Sequence, residues 1–419
     1  MAFSSTAKDT YVLFVGNVLS AFLGFLFTLV VARALTVSDF GVFSAANNLV
    51  LIIVALTDLG ISSGIVNFIS KSRESGNVKQ ENNYIKAGFV LRIIAVSIFS
   101  ILIIVFSRQI STMLLATEDP IVSVWSAFIS IGFFAWGFFP FVLQAQKRFL
   151  VSAIVDVSLG SVRVILVFLF FLIGLLNLNW TFAAFTLSAL FGGFMGMKFI
   201  GFAFLKSKPP KEIYSNLLKF SGWLGVNKII SSISGRLDVA MLAAMAGATA
   251  TGFYSIPSRL SLFVVVLASS FSSVLSPRFA SFKDINKEKT YLKKSSLALL
   301  PIIGGIVLWI IIAKPFMLIL FGEKYLPAVP VFQALTASMI PFLLTVPSVS
   351  AIIYAMEKPV YIGVYSFVHL ALTFVLNLIL IPKYEAIGPT ITFGIVHVIL
   401  AIYTWTVVIR HYWIKDSRI

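Results

Sequence analysis

Long apolar runs separated by short polar breaks make up nearly the whole chain, and their length is informative. A hydrocarbon core of roughly 30 Å is crossed by about 20 apolar helical residues. Twelve runs of that order lie between charged or Pro/Gly/Asn-rich breaks: 11–32, 41–69, 85–107, 121–143, 150–174, 180–205, 217–246, 252–279, 291–313, 329–354, 360–381 and 387–409. The long second, seventh and eighth runs are expected to tilt or kink. Ala32, Arg33 and Ala34 resemble a signal-cleavage site, but the stretch before them is longer than a signal core and has only Lys8 as a basic lead, so the first run is read as an uncleaved span. The pattern predicts an all-α integral membrane protein.

Composition agrees. The 419 residues are 59% hydrophobic and 11% charged, with a mean hydropathy of +1.00, against about 25% charged for a soluble domain. Disordered, collagenous and coiled-coil readings are excluded, and no stretch has the polar exterior of a soluble enzyme domain. The absence of cysteine removes disulfides, thiolate metal sites and cysteine nucleophiles from consideration.

Charge then orients the spans. The N-terminus and the even-numbered connections hold most of the basic residues, among them Lys71, Arg73, Lys79, Lys86, Lys147, Arg148, Lys206, Lys208, Lys211 and Lys219, followed by Arg278, Lys283, Lys287, Lys289, Lys293 and Lys294. The odd connections offer Arg33, Arg108, Lys314, Lys324 and Lys383. Basic loops stay on the cytoplasmic side, so both termini are expected there. This asymmetry accounts for much of the net charge of +16, and nothing in the chain resembles a nucleic-acid module.

The chain also resembles itself. Gly41-Val-Phe-Ser through Leu49 aligns with Gly252-Phe-Tyr-Ser through Leu260 at a spacing of 211 residues, and Phe68 and Ser70 align with Phe279 and Ser281. With one inserted residue, Asn17 aligns with Asn227. A shift of six spans preserves orientation, the arrangement of a parallel repeat. Lys206-Ser-Lys-Pro-Pro-Lys211 reads as the linker, giving an N-terminal bundle of six helices over 1–205 and a C-terminal one over 206–419.

Nine ionisable residues fall inside the runs: Arg92, Arg163, Lys198, Lys228, Arg236, Arg259, Asp58, Asp156 and Asp238. Facing lipid, nine such groups would cost on the order of 20–30 kcal/mol. They must pair, snorkel or line water. Arg92, Asp156 and Lys198 fall near the cytoplasmic third of their spans, which favours snorkelling or helix-end contacts; the deeper Arg163, Lys228, Arg236, Arg259 and Asp58 favour a wet cavity. Pairing of Arg236 or Lys228 with Asp58 is the structural alternative. Six bases against three acids leave a positive surplus, which selects an anion, and phosphate or pyrophosphate is the anion arginine binds best. Asn17, Asn48 and Asn227 are polar candidates for either the cavity wall or helix packing, and Gly192 and Gly196 have the spacing of close intrachain packing. No catalytic constellation, metal-ligand cluster or nucleotide-binding loop is present, so no cofactor is expected.

Several of these segments resemble the Wzx-type polysaccharide flippases of the multidrug/oligosaccharidyl-lipid/polysaccharide exporter superfamily. They are Asp39-Phe-Gly-Val-Phe43, Asp58-Leu-Gly-Ile61, Asn67-Phe-Ile-Ser70, Gly252-Phe-Tyr254, Ser258-Arg-Leu260 and Pro277-Arg-Phe-Ala280. The resemblance implies a V-shaped pair of six-helix bundles. It implies transport by alternating access of an undecaprenyl-pyrophosphate-linked oligosaccharide, such as an O-antigen repeat unit, across the bacterial inner membrane, with a polysaccharide polymerase and a chain-length regulator as partners. Arg163, Lys228, Arg236 and Arg259 are then the candidates for the pyrophosphate and acidic sugars, with Asp58 as the ion-coupling or orienting acid. A cation-coupled drug antiporter should carry an acid in its first span, and none is present there. A lipid II flippase is nearer, though it would be expected to have fourteen spans. A polymerase-like membrane enzyme should have a long outer loop, whereas the odd connections are short. A major-facilitator carrier would share the plan of six plus six, but the connection from Lys71 to Tyr84 lacks that family's signature.

Overall fold

The computed structural model describes residues 5–282 and 284–414, without the side chains of 5–7, 223, 227 and 414. Every regular element among them is helical. In order they are α1 (Ser5–Ala34), α2 (Val37–Asp58), α3 (Ile61–Glu74), α4 (Val78–Val105), α5 (Ser107–Leu114), α6 (Pro120–Ala145), α7 (Phe149–Leu172), α8 (Leu178–Ile200), α9 (Lys211–Ser234), α10 (Leu237–Ser281), α11 (Ile285–Leu297), α12 (Leu300–Ile311), α13 (Ala313–Phe321), α14 (Val329–Ser350), α15 (Val360–Tyr384) and α16 (Gly388–Ile409).

Ten helical stretches are long and apolar enough to cross a membrane. One of them, Val360–Trp413, holds both α15 and α16, joined by the 3-10 turn Glu385–Ile387. Span seven is the other addition: α9 breaks at Gly235 and resumes as the start of α10, which loses helical geometry at Gly247 (φ 81°, ψ −177°) and then continues as span eight. Together these give the expected twelve spans of a multi-pass membrane protein. The ends differ from the apolar runs because polar residues cap the helices outside them. Thr36, Asn77, Asp119, Asn177 and Asp284 each accept a hydrogen bond from a backbone N–H in the first turn of α2, α4, α6, α8 and α11.

The chain divides into two compact units, Met1–Arg236 and Leu237–Ile419. The Lys206–Lys211 segment lies within the first of these, and α9 beyond it packs on α2, α3 and α4. The second unit repeats the element order of the first. Short helices α5 and α13 follow α4 and α12, after which α6, α7 and α8 are matched by α14, α15 and α16.

Within the first unit the usual distribution of side chains is inverted. Ile94, Ile98, Ile101 and Val105 of α4 and Phe168, Leu169 and Leu172 of α7 are exposed, while Ser123, Ser126 and Ser130 of α6 are fully buried. Lipid is as apolar as leucine, so helices associate through close packing of small residues instead. A Cβ on Gly192 would lie 3.0 Å from the Trp136 ring, one on Gly193 2.6 Å from Ala135, and one on Gly196 2.5 Å from Phe139. The small-residue spacing therefore seats α8 on α6. Loop cations complete helix ends: Arg148 donates to the Phe199 carbonyl at 2.7 Å, and Lys86 to that of Leu205 at 3.3 Å.

The tightest crossing is at the break in span two. Leu59 (φ 47°) and Gly60 (φ 74°) are left-handed, ending α2 and restarting the chain as α3. A Cβ on Gly60 would fall 2.5 Å from the Ser221 carbonyl, and one on Gly225 2.5 Å from that of Leu59. Both glycines are required for backbone to meet backbone there. Gly225→Val is expected to cost on the order of 2 kcal/mol and lower the melting temperature in detergent, whereas Gly305→Ala, with open space around it, should leave melting unchanged or slightly raised.

Candidate functional site

The break that ends α2 leaves Asp58 as its last residue, at the negative end of the helix dipole and almost fully buried. A carboxylate there needs cations and donors. Ser62, in the first turn of α3, donates a short hydrogen bond to Asp58 Oδ1. Arg92 of α4 reaches the same oxygen at 3.1 Å and Ser62 Oγ at 3.1 Å, with its guanidinium 5.6 and 5.8 Å from the rings of Phe134 and Phe138. Lys228 of α9 donates to Oδ2 at 2.7 Å. The two cations differ in setting. Arg92 is 2% exposed, whereas the Lys228 side chain is 44% exposed and opens onto a cavity. Asp58 thereby joins spans two, three and seven.

The cavity, of about 580 Å³, lies entirely within the first unit and is walled by α1, α2, α3, α4, α6, α7 and α9. Asp58, Arg92 and Lys228 contribute to its lining, as do Arg163, Arg236, Asp156, Asn17, Ser20, Gln144, Ser232, Phe133, Trp136 and Phe141. Four basic side chains face two acidic ones, so it carries a positive surplus. Arg163 is held by stacking: its guanidinium lies 3.8 Å from the Phe185 ring, 5.4 Å from Phe133 and 5.6 Å from Phe27, and its Nε donates to Ser188 at 3.3 Å. Such a clamp fixes the charge without removing it.

The structure thus gathers Arg163, Lys228, Arg236, Asp58 and Asn17 around one space. Lys228 also adopts the pairing with Asp58 that the sequence left open. Asn48 does not line the cavity. It is buried and donates to the Arg236 carbonyl at 3.0 Å, satisfying backbone at the interruption of span seven. Arg259 belongs to the second unit, on α10, where it interacts electrostatically with the buried Tyr325. The side chain of Asn227 lies outside the described residues. Asp238, also in the second unit, accepts a short hydrogen bond from Tyr254.

Two expectations are corrected. Arg92 does not snorkel; it is sealed against Asp58 and two phenylalanines. Nor is Asp156 a helix-end residue, since it lines the cavity beside Trp136. Depth along a helix was a poor guide for both, because a neighbouring helix supplies what snorkelling would have supplied. Lys198 behaves as expected, exposed in the last turn of α8. The unmatched acid Asp58, in an apolar run, was the available signal that a buried base must exist elsewhere.

The helix order and the repeat have counterparts among known structures of membrane proteins. The fold is similar to an inward-facing multidrug resistance MATE family transporter of the MOP superfamily, with a TM-score of 0.75 at 13% identity over 92% of this chain and 93% of that one. It is equally similar to the lipid II flippase MurJ in an inward closed conformation, with a TM-score of 0.76 at 16% identity over 94% and 87% of the two chains. In sequence, 115 residues are 27% identical to a Shigella flexneri protein described as "Putative O-antigen transporter", a match spanning 27% of this chain and 28% of that protein. Residues 6–283 match the polysaccharide biosynthesis protein family, and the chain belongs to that family. The three matched proteins are themselves described as transporters or a flippase.

Removing Asp58 should leave Arg92 buried without a counter-charge. Asp58→Ala is expected to destabilise the protein by about 3–5 kcal/mol, and Arg92→Met in the same chain to recover a large part of the loss. Thermal melts of the two single variants and the double variant form the cycle that measures this coupling.

Proposed function

We propose that this transporter flips a lipid-linked oligosaccharide, attached through pyrophosphate to undecaprenol, from the cytoplasmic to the periplasmic leaflet of a bacterial inner membrane. The observation that carries this reading is the surplus of positive charge, four basic side chains to two acidic ones, in a cavity among membrane-spanning helices. Arg163, Lys228 and Arg236 would hold the diphosphate, with arginine supplying forked hydrogen bonds and lysine a point charge.

Asp58 is the orienting acid. It holds Lys228 at 2.7 Å, so an incoming anion competes with it for the ammonium group, and protonation or cation binding at Asp58 would release Lys228 to the anion. The parallel repeat suits alternating access, in which the cavity is reached from one side of the membrane and then from the other. Both termini lie in the cytoplasm, and a polymerase and a chain-length regulator receive the product. The fold is shared with drug transporters and with a lipid II flippase, and the sign of the cavity's charge is what favours an anionic lipid head over a cationic drug.

Deletion of the gene should trap lipid-linked repeat units on the cytoplasmic face. A membrane-impermeant glycan probe would then label inverted vesicles but not intact cells, and surface polysaccharide would be lost. Units that reach the outer face unpolymerised would instead mark a polymerase, and unchanged pools would move the drug antiporter to the front. Complementation with Arg163→Gln together with Lys228→Gln should restore less than about a tenth of the export, since each charged hydrogen bond contributes about 1.5–3 kcal/mol.

A further inference from the structure

One part of the cavity is built differently from the rest. Trp136 and Gly137 of α6 and Asp156 of α7 line it together, with the indole beside the carboxylate. The ring is packed on two sides: it stands edge to face with Phe133 at a centroid distance of 5.5 Å, and Gly192 of α8 leaves the room it occupies, since a Cβ there would lie 3.0 Å from Trp136 Cδ1. Next to it on the cavity wall, a Cβ on Gly137 would meet nothing within 4 Å, so the wall has room at that position. Among the described residues Asp156 makes no ion pair within 4 Å, although Arg163 follows it on the same helix.

These features suit a neutral polyhydroxylated ring. A fixed indole face offers an apolar surface to the C–H side of a sugar, and a carboxylate accepts hydrogen bonds from its hydroxyls. The same carboxylate repels a diphosphate. Asp156 and Arg163 are seven residues apart on α7, about 10 Å along the axis, which is room for a sugar at one end and its anionic linkage at the other.

We infer that Trp136, Gly137 and Asp156 form a saccharide subsite, so that the first sugars of the substrate lie against Trp136 while the diphosphate lies toward Arg163, Lys228 and Arg236. This rests on the flippase reading above and adds to it an orientation and a class of sugar, neutral rather than acidic, at the Asp156 end.

The test uses the full chain in lipid nanodiscs with two probes, undecaprenyl diphosphate and the lipid-linked saccharide extracted from the deletion strain. Trp136→Ala, Asp156→Asn and Gly137→Leu should each weaken binding of the saccharide-bearing lipid by about tenfold without weakening undecaprenyl diphosphate, and Trp136→Phe should retain most of the affinity. Equal loss for both lipids, or no loss for the saccharide-bearing one, would overturn the subsite and leave the flippase reading in place. If the unmodified protein bound neither lipid, the flippase reading would fall and the subsite with it.

Discussion

A carboxylate cannot stay charged in an apolar interior without company, and much of the first unit is arranged around meeting that requirement for Asp58. The chain breaks its second span at Leu59–Gly60, which places Asp58 at the end of α2 and Ser62 within reach. Arg92 and Lys228 arrive from two further spans, one to each carboxylate oxygen. The close approach of α9 that brings Lys228 there depends on Gly60 and Gly225, whose backbones touch. Break, crossing and ion cluster therefore meet at one place in the first unit. Buried pairs are weak sources of stability but strong sources of specificity in some proteins; here the cluster fixes which spans meet and at what depth.

Lipid decides the remainder of the architecture. With no hydrophobic gradient to drive helices together, close contact falls to glycine, alanine and serine at the interfaces, as in α6 against α8, while large apolar side chains face outward. Ser126 and Ser130 return their hydroxyls to carbonyls of the preceding turn at 2.9 and 2.8 Å, so they pack as small residues without leaving those polar atoms open. The cavity persists because its polar side chains are tied to neighbours: Arg163 to three phenyl rings, Gln144 to Ser152.

Run length and spacing were enough to read twelve spans, and the self-similarity of the chain appears again in the ordered match of α6–α8 with α14–α16. Helix ends were less legible from hydropathy, since caps such as Asn77 and Asp284 lie outside the apolar runs and belong to capping chemistry. Site residues were legible by type, because an arginine or aspartate within an apolar run must be accounted for, but by partner only in part: Lys228 with Asp58 was one pairing left open, whereas Arg92 was not expected there. Arg92 and Lys228 share Asp58 although 170 residues separate Lys228 from it in sequence, and a single chain offers no local signal for such a contact. Trp136 was invisible for a related reason. A tryptophan in a membrane helix is ordinary until the fold shows that it lines a cavity beside a carboxylate.

The first unit of this member of the polysaccharide biosynthesis protein family encloses a cavity with a surplus of basic side chains that water should reach, and the chain offers a direct way to measure this because it has no cysteine of its own. A single cysteine replacing Ser232, on the cavity wall, would be labelled by a negatively charged and by a positively charged methanethiosulfonate, neither able to cross the membrane. The account predicts that both react and that the anionic reagent is favoured, relative to a cysteine in a surface loop such as Ser75, by about tenfold or more, as expected for a focused positive potential. A cysteine at position 232 that neither reagent reaches, or one that prefers the cation, would contradict it.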